Sequence, residues 1–233
     1  MRRWLLYHIP KTGGTSISQH LGAELGTGYQ SVTIEERPGS MTPGEVNASP
    51  PERLAVIRVF HGHGVGRFIL DRLPRGPISE LVVLREPAAR IISHYNFKVA
   101  RQALGRNQSI SFERFLLQTP PDFTLRFLCT RLGYPVDARA LDRVIHALSG
   151  MYVLTTTEVD AAVKALSRAF GIPDIAPRRN VSGVDFPIQL EANPELVERL
   201  RQLNPLDTIL FETAREMGPT SITRLNKIPR EEI

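Results

Sequence analysis

The segment RWLLYHIPKTGGTSISQHLGAEL, residues 3–25, restricts the fold more than any other part of the chain. Residues 3–8 (RWLLYH) form a short apolar run with strand character, and Ile17, Leu21 and Leu25 then recur at helical spacing over residues 15–25. Between them lie Lys11, Thr12, Gly13, Gly14, Thr15 and Ser16. A strand that turns through two glycines into a helix presents the helix's unpaired N–H groups at the turn, where an anion is the natural partner. The loop departs from the nucleotide-hydrolase pattern G-x-x-x-x-G-K-[ST], because its lysine stands before the glycines.

The alternation continues downstream. ELVVLRE (80–86) carries the clearest buried-strand run, Leu81 to Leu84, and Pro87 suits the first position of the helix that follows. RVFHGHGVGRF (58–68) and MYVLTTT (151–157) read as further extended segments. Helices are predicted at 111–118 with Ser111 as N-cap, at 138–148, over EVDAAVKALSRAF up to Gly171, and at 193–203 and 205–217. Strands alternating with helices predict an α/β fold, a single-domain parallel sheet flanked by helices. Residues 26–52, rich in Gly, Pro, Ser and Thr, are predicted as an irregular loop insertion covering a site. Residues 219–233 read as a loosely held C-terminal tail beyond a domain of residues 1–218.

With 233 residues and 42% hydrophobic content, the chain is long enough for one substantial core. A net charge of +5 and a pI of about 9.7 suit an anionic ligand without singling out nucleic acid. The one cysteine, Cys129, sits in the apolar helix pattern DFTLRFLCTRLG, which predicts a buried structural thiol and excludes an intrachain disulfide. No apolar run approaches the roughly 20 residues of a membrane helix. MRRWLLYHIP is too short for a signal peptide, so a cytoplasmic protein is the expectation.

Three strand ends carry unusual polar residues: Lys11 to Ser16, His61 to His63, and Arg85 to Ser93. In parallel sheets ligands bind at such carboxyl ends. In the first, Gly13 and Gly14 let the backbone approach an anion closely, Thr12, Thr15 and Ser16 add hydroxyl donors, and Lys11 adds a mobile charge. In the second helix-leading turn, LREPAARIISHY, Ser93 follows Arg85 by about two helical turns. A guanidinium fork and a hydroxyl so placed can grip one phosphate.

HIPKTGGTS followed by VLREPAARIISHY resembles the paired cofactor motifs of sulfotransferases that use 3′-phosphoadenosine 5′-phosphosulfate (PAPS). The resemblance is nearest to the carbohydrate-type branch that includes heparan sulfate 2-O-sulfotransferases. It implies a P-loop nucleotide-kinase-like sulfotransferase fold. It also implies that Lys11, Thr12, Gly13, Gly14, Thr15 and Ser16 hold the 5′-phosphosulfate, and Arg85 and Ser93 the 3′-phosphate. The product would be 3′-phosphoadenosine 5′-phosphate (PAP). FHGH (60–63), MYVLTTTE (151–158) and NPLDTILFETA (204–214) are similar to further segments of that branch, and RRNVSG (178–183) falls where the family often has a third cofactor-side loop. The implied acceptor is a hydroxyl on a saccharide or glycoconjugate, with no metal, no nucleic acid partner and no integral membrane segment.

His61 and His63 are two apart, so on an extended strand they share one face. A metal pair would need a third ligand, and the other histidines are assigned to helical patterns. The glycines at 62, 64 and 66 do not make a dinucleotide fingerprint, which needs Gly where Arg67 stands. A neutral imidazole at pH 7 suits a general base instead. With the resemblance included, His63 is the expected base and His61 its support or an acceptor contact. Lys11 is expected to attend the leaving oxygen. Two other readings stay open. One is a nucleotide phosphotransferase (kinase), against which stand the lysine order and Arg85 in place of a Mg²⁺-binding Asp. The other is a non-catalytic module for anionic polysaccharide, which has no use for a base.

Overall fold

The apolar runs become β1 (Arg3–Tyr7), β4 (Val59–Gly62), β5 (Ile78–Leu84) and β6 (Tyr152–Thr155), joined by two shorter strands, β2 (Tyr29–Val32) and β3 (Ser40–Met41). They pair into one six-stranded, all-parallel sheet in the order β3-β2-β4-β1-β5-β6. This computed structural model describes residues 2–103, 105, 110–174, 188–190 and 193–229, apart from the side chains of residues 16 and 103. The helices are α1 (Gly14–Leu25), α2 (Pro43–Ala48), α3 (Pro51–Ala55), α4 (Pro87–Ala103), α5 (Phe112–Gln118), α6 (Phe123–Leu132), α7 (Ala140–Ser149), α8 (Val159–Phe170), α9 (Pro194–Gln202) and α10 (Pro205–Leu225). None of them is long and apolar enough to cross a membrane.

The period-2 alternation of each strand feeds two cores. Trp4 and Leu6 of β1 point to one face, where Ile17 and Leu21 of α1 and Val163 and Leu166 of α8 cover them. Leu5 and Tyr7 point to the other, against α6, α7 and α10. A sheet buried on both faces explains the unbroken apolar runs. A third cluster joins Ile91 and Ile92 of α4 to Phe115 of α5 and Leu200 of α9. Cys129 is buried and free on α6, as the helix pattern predicts.

Two expectations are corrected. Residues 26–52 are not an irregular insertion: they contain β2, β3 and α2, with Val32, Met41 and Val46 in the core. These strands are four and two residues long and carry Gln30, Ser31 and Ser40, so no apolar run announces them. The expected tail of residues 219–233 is corrected for its described part: α10 continues through Pro219 to Leu225 and Ile228 packs against the core, while residues 230–233 lie outside the described residues. In α10, Ser221 Oγ accepts the Val153 N–H at 3.0 Å, and Arg224 Nη1 donates to the Met151 carbonyl at 3.3 Å. Side chains of α10 thus satisfy backbone groups along β6, the strand at the sheet's edge.

Helices α6 and α10 cap one another. Asp122 accepts the N–H groups of Leu206 and Asp207, both at 2.9 Å, while Asp207 accepts those of Thr124 and Leu125 at 2.9 and 2.8 Å. Asp207 is buried, and the charge of Arg90, itself 1% exposed, offsets part of the cost. Removing it strands two amides and a buried guanidinium. Asp207→Ala is therefore expected to cost about 3–5 kcal/mol, read as a lower urea midpoint with unchanged slope. Asp207→Asn, which keeps one acceptor oxygen, should cost less. A loss below about 1 kcal/mol for the alanine variant would show that water replaces the clasp.

Candidate active site

From β1 the chain passes to β2, on the β4 side of the sheet, whereas from β5 it passes to β6 on the opposite side. The crevice between the carboxyl ends of β1 and β5 is a topological switch point, where open parallel sheets take their ligands. Lys11 follows the first of these ends and Arg85 the second. The two meet: Arg85 Nη1 donates to the Lys11 carbonyl at 3.2 Å.

The loop between them is tightly specified. Lys11 adopts φ 72, a left-handed conformation that side chains rarely occupy, and Gly13 follows at φ 85 as the N-cap of α1. No side chain caps this helix, so its first N–H groups are left for another acceptor. Gly14 is required for a different reason. A Cβ there would lie 2.2 Å from Cδ2 of His8, so α1 begins against the face of that ring. Thr15 is exposed on the first turn, and the side chain of Ser16 lies outside the described residues. Thr12 departs from expectation. It is buried and its hydroxyl donates to the Ile9 carbonyl at 2.9 Å, so it holds the loop's shape and has no proton for a ligand.

Positive charge accumulates here with little to balance it. The Lys11 ammonium lies 4.1 Å from the centre of the Phe97 ring on α4, and burial together with the like charge of Arg85 lowers its pKa. Burial lowers that of Arg85 as well, partly offset by Glu86. Glu86 is committed elsewhere, accepting the Ala89 N–H at 2.7 Å and the Arg201 Nε–H at 2.9 Å. Ser93 is half-buried two turns into α4, and its hydroxyl makes no hydrogen bond to a described residue. Its neighbour His94 has a pKa lowered to about 4 by burial, then by Lys98, Arg90 and Lys11. Two cations, an uncapped helix start and a free hydroxyl are what a phosphate-bearing ligand requires.

The histidines form a group of three. His8, at the end of β1, packs its ring 4.3 Å from that of His63 and 4.9 Å from that of His61. Register explains the meeting, since Leu6 pairs with His61 and Tyr7 with Gly62. The reading that placed every other histidine in a helix is thus corrected for His8. The rings of His8 and His63 are stacked and that of His61 is tilted against His8, and among the described residues no three His, Cys, Asp or Glu side chains are arranged to hold a metal ion.

The three differ in role. His61 is 3% exposed, and Tyr29 bridges its Nδ1 (3.1 Å) to Ser18 Oγ (2.7 Å). Burial, then His63, pushes its pKa down to about 3. So enclosed, it cannot touch an acceptor, which corrects that part of its expected role; it supports the neighbouring rings. His63 is half-buried, and its Nδ1 donates to the His8 carbonyl at 2.5 Å. That bond fixes the tautomer and leaves Nε2 with a lone pair. Burial lowers its pKa, the bond to His8 raises it, and the charges of Arg37 and Arg131 lower it further, so the ring is neutral at pH 7.

His63 opens on a cleft of about 360 Å³. Pro10, the residue before Lys11, lines the same cleft, so the candidate base and the cationic loop flank one space. No family model matches the chain, and no curated protein matches it. The likeness to sulfotransferases therefore rests on the motif residues. RRNVSG lies outside the described residues.

Four contributors escaped the sequence reading: His8, Tyr29, Phe97 and Arg131. His8 was legible in principle, because it directly precedes the loop at a strand end. The other three depend on packing between distant elements, for which no local pattern exists.

Proposed function

We propose that the chain is a PAPS-dependent sulfotransferase that moves a sulfuryl group to an acceptor hydroxyl, with His63 as general base. The observation that carries this reading is the switch-point crevice, where Lys11 and Arg85 meet at the uncapped start of α1, while Pro10 of the same loop lines the cleft onto which the neutral imidazole of His63 opens. In the P-loop-like sheet that this reading implies, Lys11 and the amides of Gly13 to Thr15 hold the 5′ end of the donor, and Arg85 and Ser93 its 3′-phosphate. When bound, the donor supplies the sulfuryl group and keeps the bridging oxygen on its 5′-phosphate.

The chain's residues divide the remaining work. His63 Nε2 takes the proton of the acceptor hydroxyl as its oxygen becomes a nucleophile. The Nδ1 bond to His8 holds the ring in the tautomer this needs. Lys11 and the loop amides stabilise negative charge that grows on the departing oxygen, and being fixed in advance they need little reorganisation. Glu86 is excluded as an alternative base, because both its oxygens already accept hydrogen bonds.

The test is thermal stability against ligand. PAP at 100-fold above its Kd should add about 2.7 kcal/mol, which for a chain of this length is about 5–10 °C in Tm. Lys11→Ala and Arg85→Ala should each reduce the shift. A larger shift with ATP and Mg²⁺ than with PAP would favour a phosphotransferase. A PAP shift without sulfuryl transfer to any acceptor, even with His63 intact, would favour a binding module.

A further inference from the structure

The walls of the cleft beside His63 restrict what can enter. Pro10, Ile34, Pro120, Phe123 and Phe127 line it with rings and an aliphatic side chain. The polar lining is His63, Thr130 and two arginines. Thr130 has its hydroxyl proton committed to the Arg126 carbonyl at 3.0 Å. Arg126 gives its Nε–H to the Pro121 carbonyl at 3.0 Å and keeps its Nη donors, but its side chain is exposed, so water screens its charge. Arg131 is different. It lies half-buried with its guanidinium carbon 5.3 Å from the Phe127 ring centre, and it forms no ion pair or hydrogen bond with a described residue. Its Nε is buried without a partner.

A sugar fits this lining poorly. Each ring hydroxyl that leaves water needs a new partner, and no Asn, Gln, Asp or Glu among the described residues lines the cleft. An apolar ring or chain meets matching surface instead, and an anion meets an unpaired guanidinium. The volume, near the lower end for small-ligand sites, holds one or two rings.

We infer that the acceptor is a small amphipathic acid, with its hydroxyl on an apolar aryl or alkyl body and its anionic group held by Arg131. The reacting hydroxyl in this assignment rests on the sulfuryl-transfer reading; the binding preference does not. Ile34, from the segment after β2, shapes the mouth of the cleft and is 59% exposed, so it can be changed without disturbing the core.

Equilibrium titration of the intact protein, with and without PAP, tests the preference using three probes: 4-hydroxyphenylacetate, neutral 4-methylphenol and a glucuronic acid-containing disaccharide. The acid should bind about tenfold more tightly than either other probe, the size expected of one well-placed charge pair. Arg131→Ala should remove most of that advantage and leave 4-methylphenol within about twofold. Ile34→Asp should weaken the acid selectively by adding a like charge at the mouth. Equal binding of acid and neutral phenol, tighter binding of the disaccharide, no binding of the acid, or an Arg131→Ala variant that loses both phenols alike would each overturn the inference. Because the titration without PAP is independent of the donor, a missing PAP shift would sink the transferase reading and leave the cleft's preference measured.

Discussion

Replacing His63 with alanine is expected to lower the rate of sulfuryl transfer by about 10²–10⁴-fold while PAP binding stays nearly unchanged. The separation follows from the geometry. His63 faces the cleft proposed for the acceptor, whereas the groups assigned to the donor, Lys11 and Arg85, stand at the switch point and meet one another. A purely structural role for His63 would also lower activity, so His63→Asn is the informative companion. Its amide can still donate to the His8 carbonyl but has no basic nitrogen where Nε2 stands. Loss in both variants supports a base; full activity in the asparagine variant removes that assignment. The pH profile adds a sign. The base works neutral, and burial lowers its pKa below that of a free histidine. Activity should therefore persist to lower pH than an unperturbed imidazole allows, then fall as His63 protonates.

Acid should unfold the protein through the other two members of the cluster. The pKa values of His8 and His61 are lowered to about 2 and about 3, mainly by burial, and for His8 also by His61, His63 and Lys11. Both folded values lie below the unfolded one of roughly 6.5. The stability tied to their neutral forms is then complete above pH 6.5 and is lost as pH falls from there towards the folded values, because the unfolded chain takes up the protons. Each contributes about 1.4 kcal/mol per pH unit, so the pair should remove about 5 kcal/mol between pH 6.5 and 4.5. That is comparable with the whole stability of many domains. Urea midpoints measured across this range would show the slope, to which His94, with its pKa lowered to about 4, also adds; His8→Leu should remove its own share of about 1.4 kcal/mol per pH unit. A midpoint that stays flat from pH 7 to pH 5 would mean that the cluster opens to water before it titrates.

The central strands were legible because burial on both faces demands unbroken apolar runs, and Leu81 to Leu84 shows this best. The site's two anchors were legible for a related reason: Lys11 and Arg85 stand where such runs stop. The edge strands were not. Tyr29 to Val32 is only partly buried, and its pairing with β4 depends on neighbours far along the chain. Gly218 and Pro219 read as a helix end, yet tertiary packing overrides their propensities. A Cβ on Gly218 would meet Glu158 Oε1 at 2.2 Å, so glycine there allows α10 to pass close to that carboxylate. Thr12 shows the opposite limit, since the sequence gives the hydroxyl and only the fold reveals where its proton goes.

The reciprocal clasp of Asp122 and Asp207 fastens α6 to α10, and α10 in turn lies along β6. The wall that bears Phe123, Phe127 and Arg131 is thus moored twice, by its packing against β1 and, through α10, to the margin of the sheet. Residues along the outer face of α6 can therefore be exchanged to reshape the cleft without touching the loop that carries Lys11 or the turn that carries Arg85.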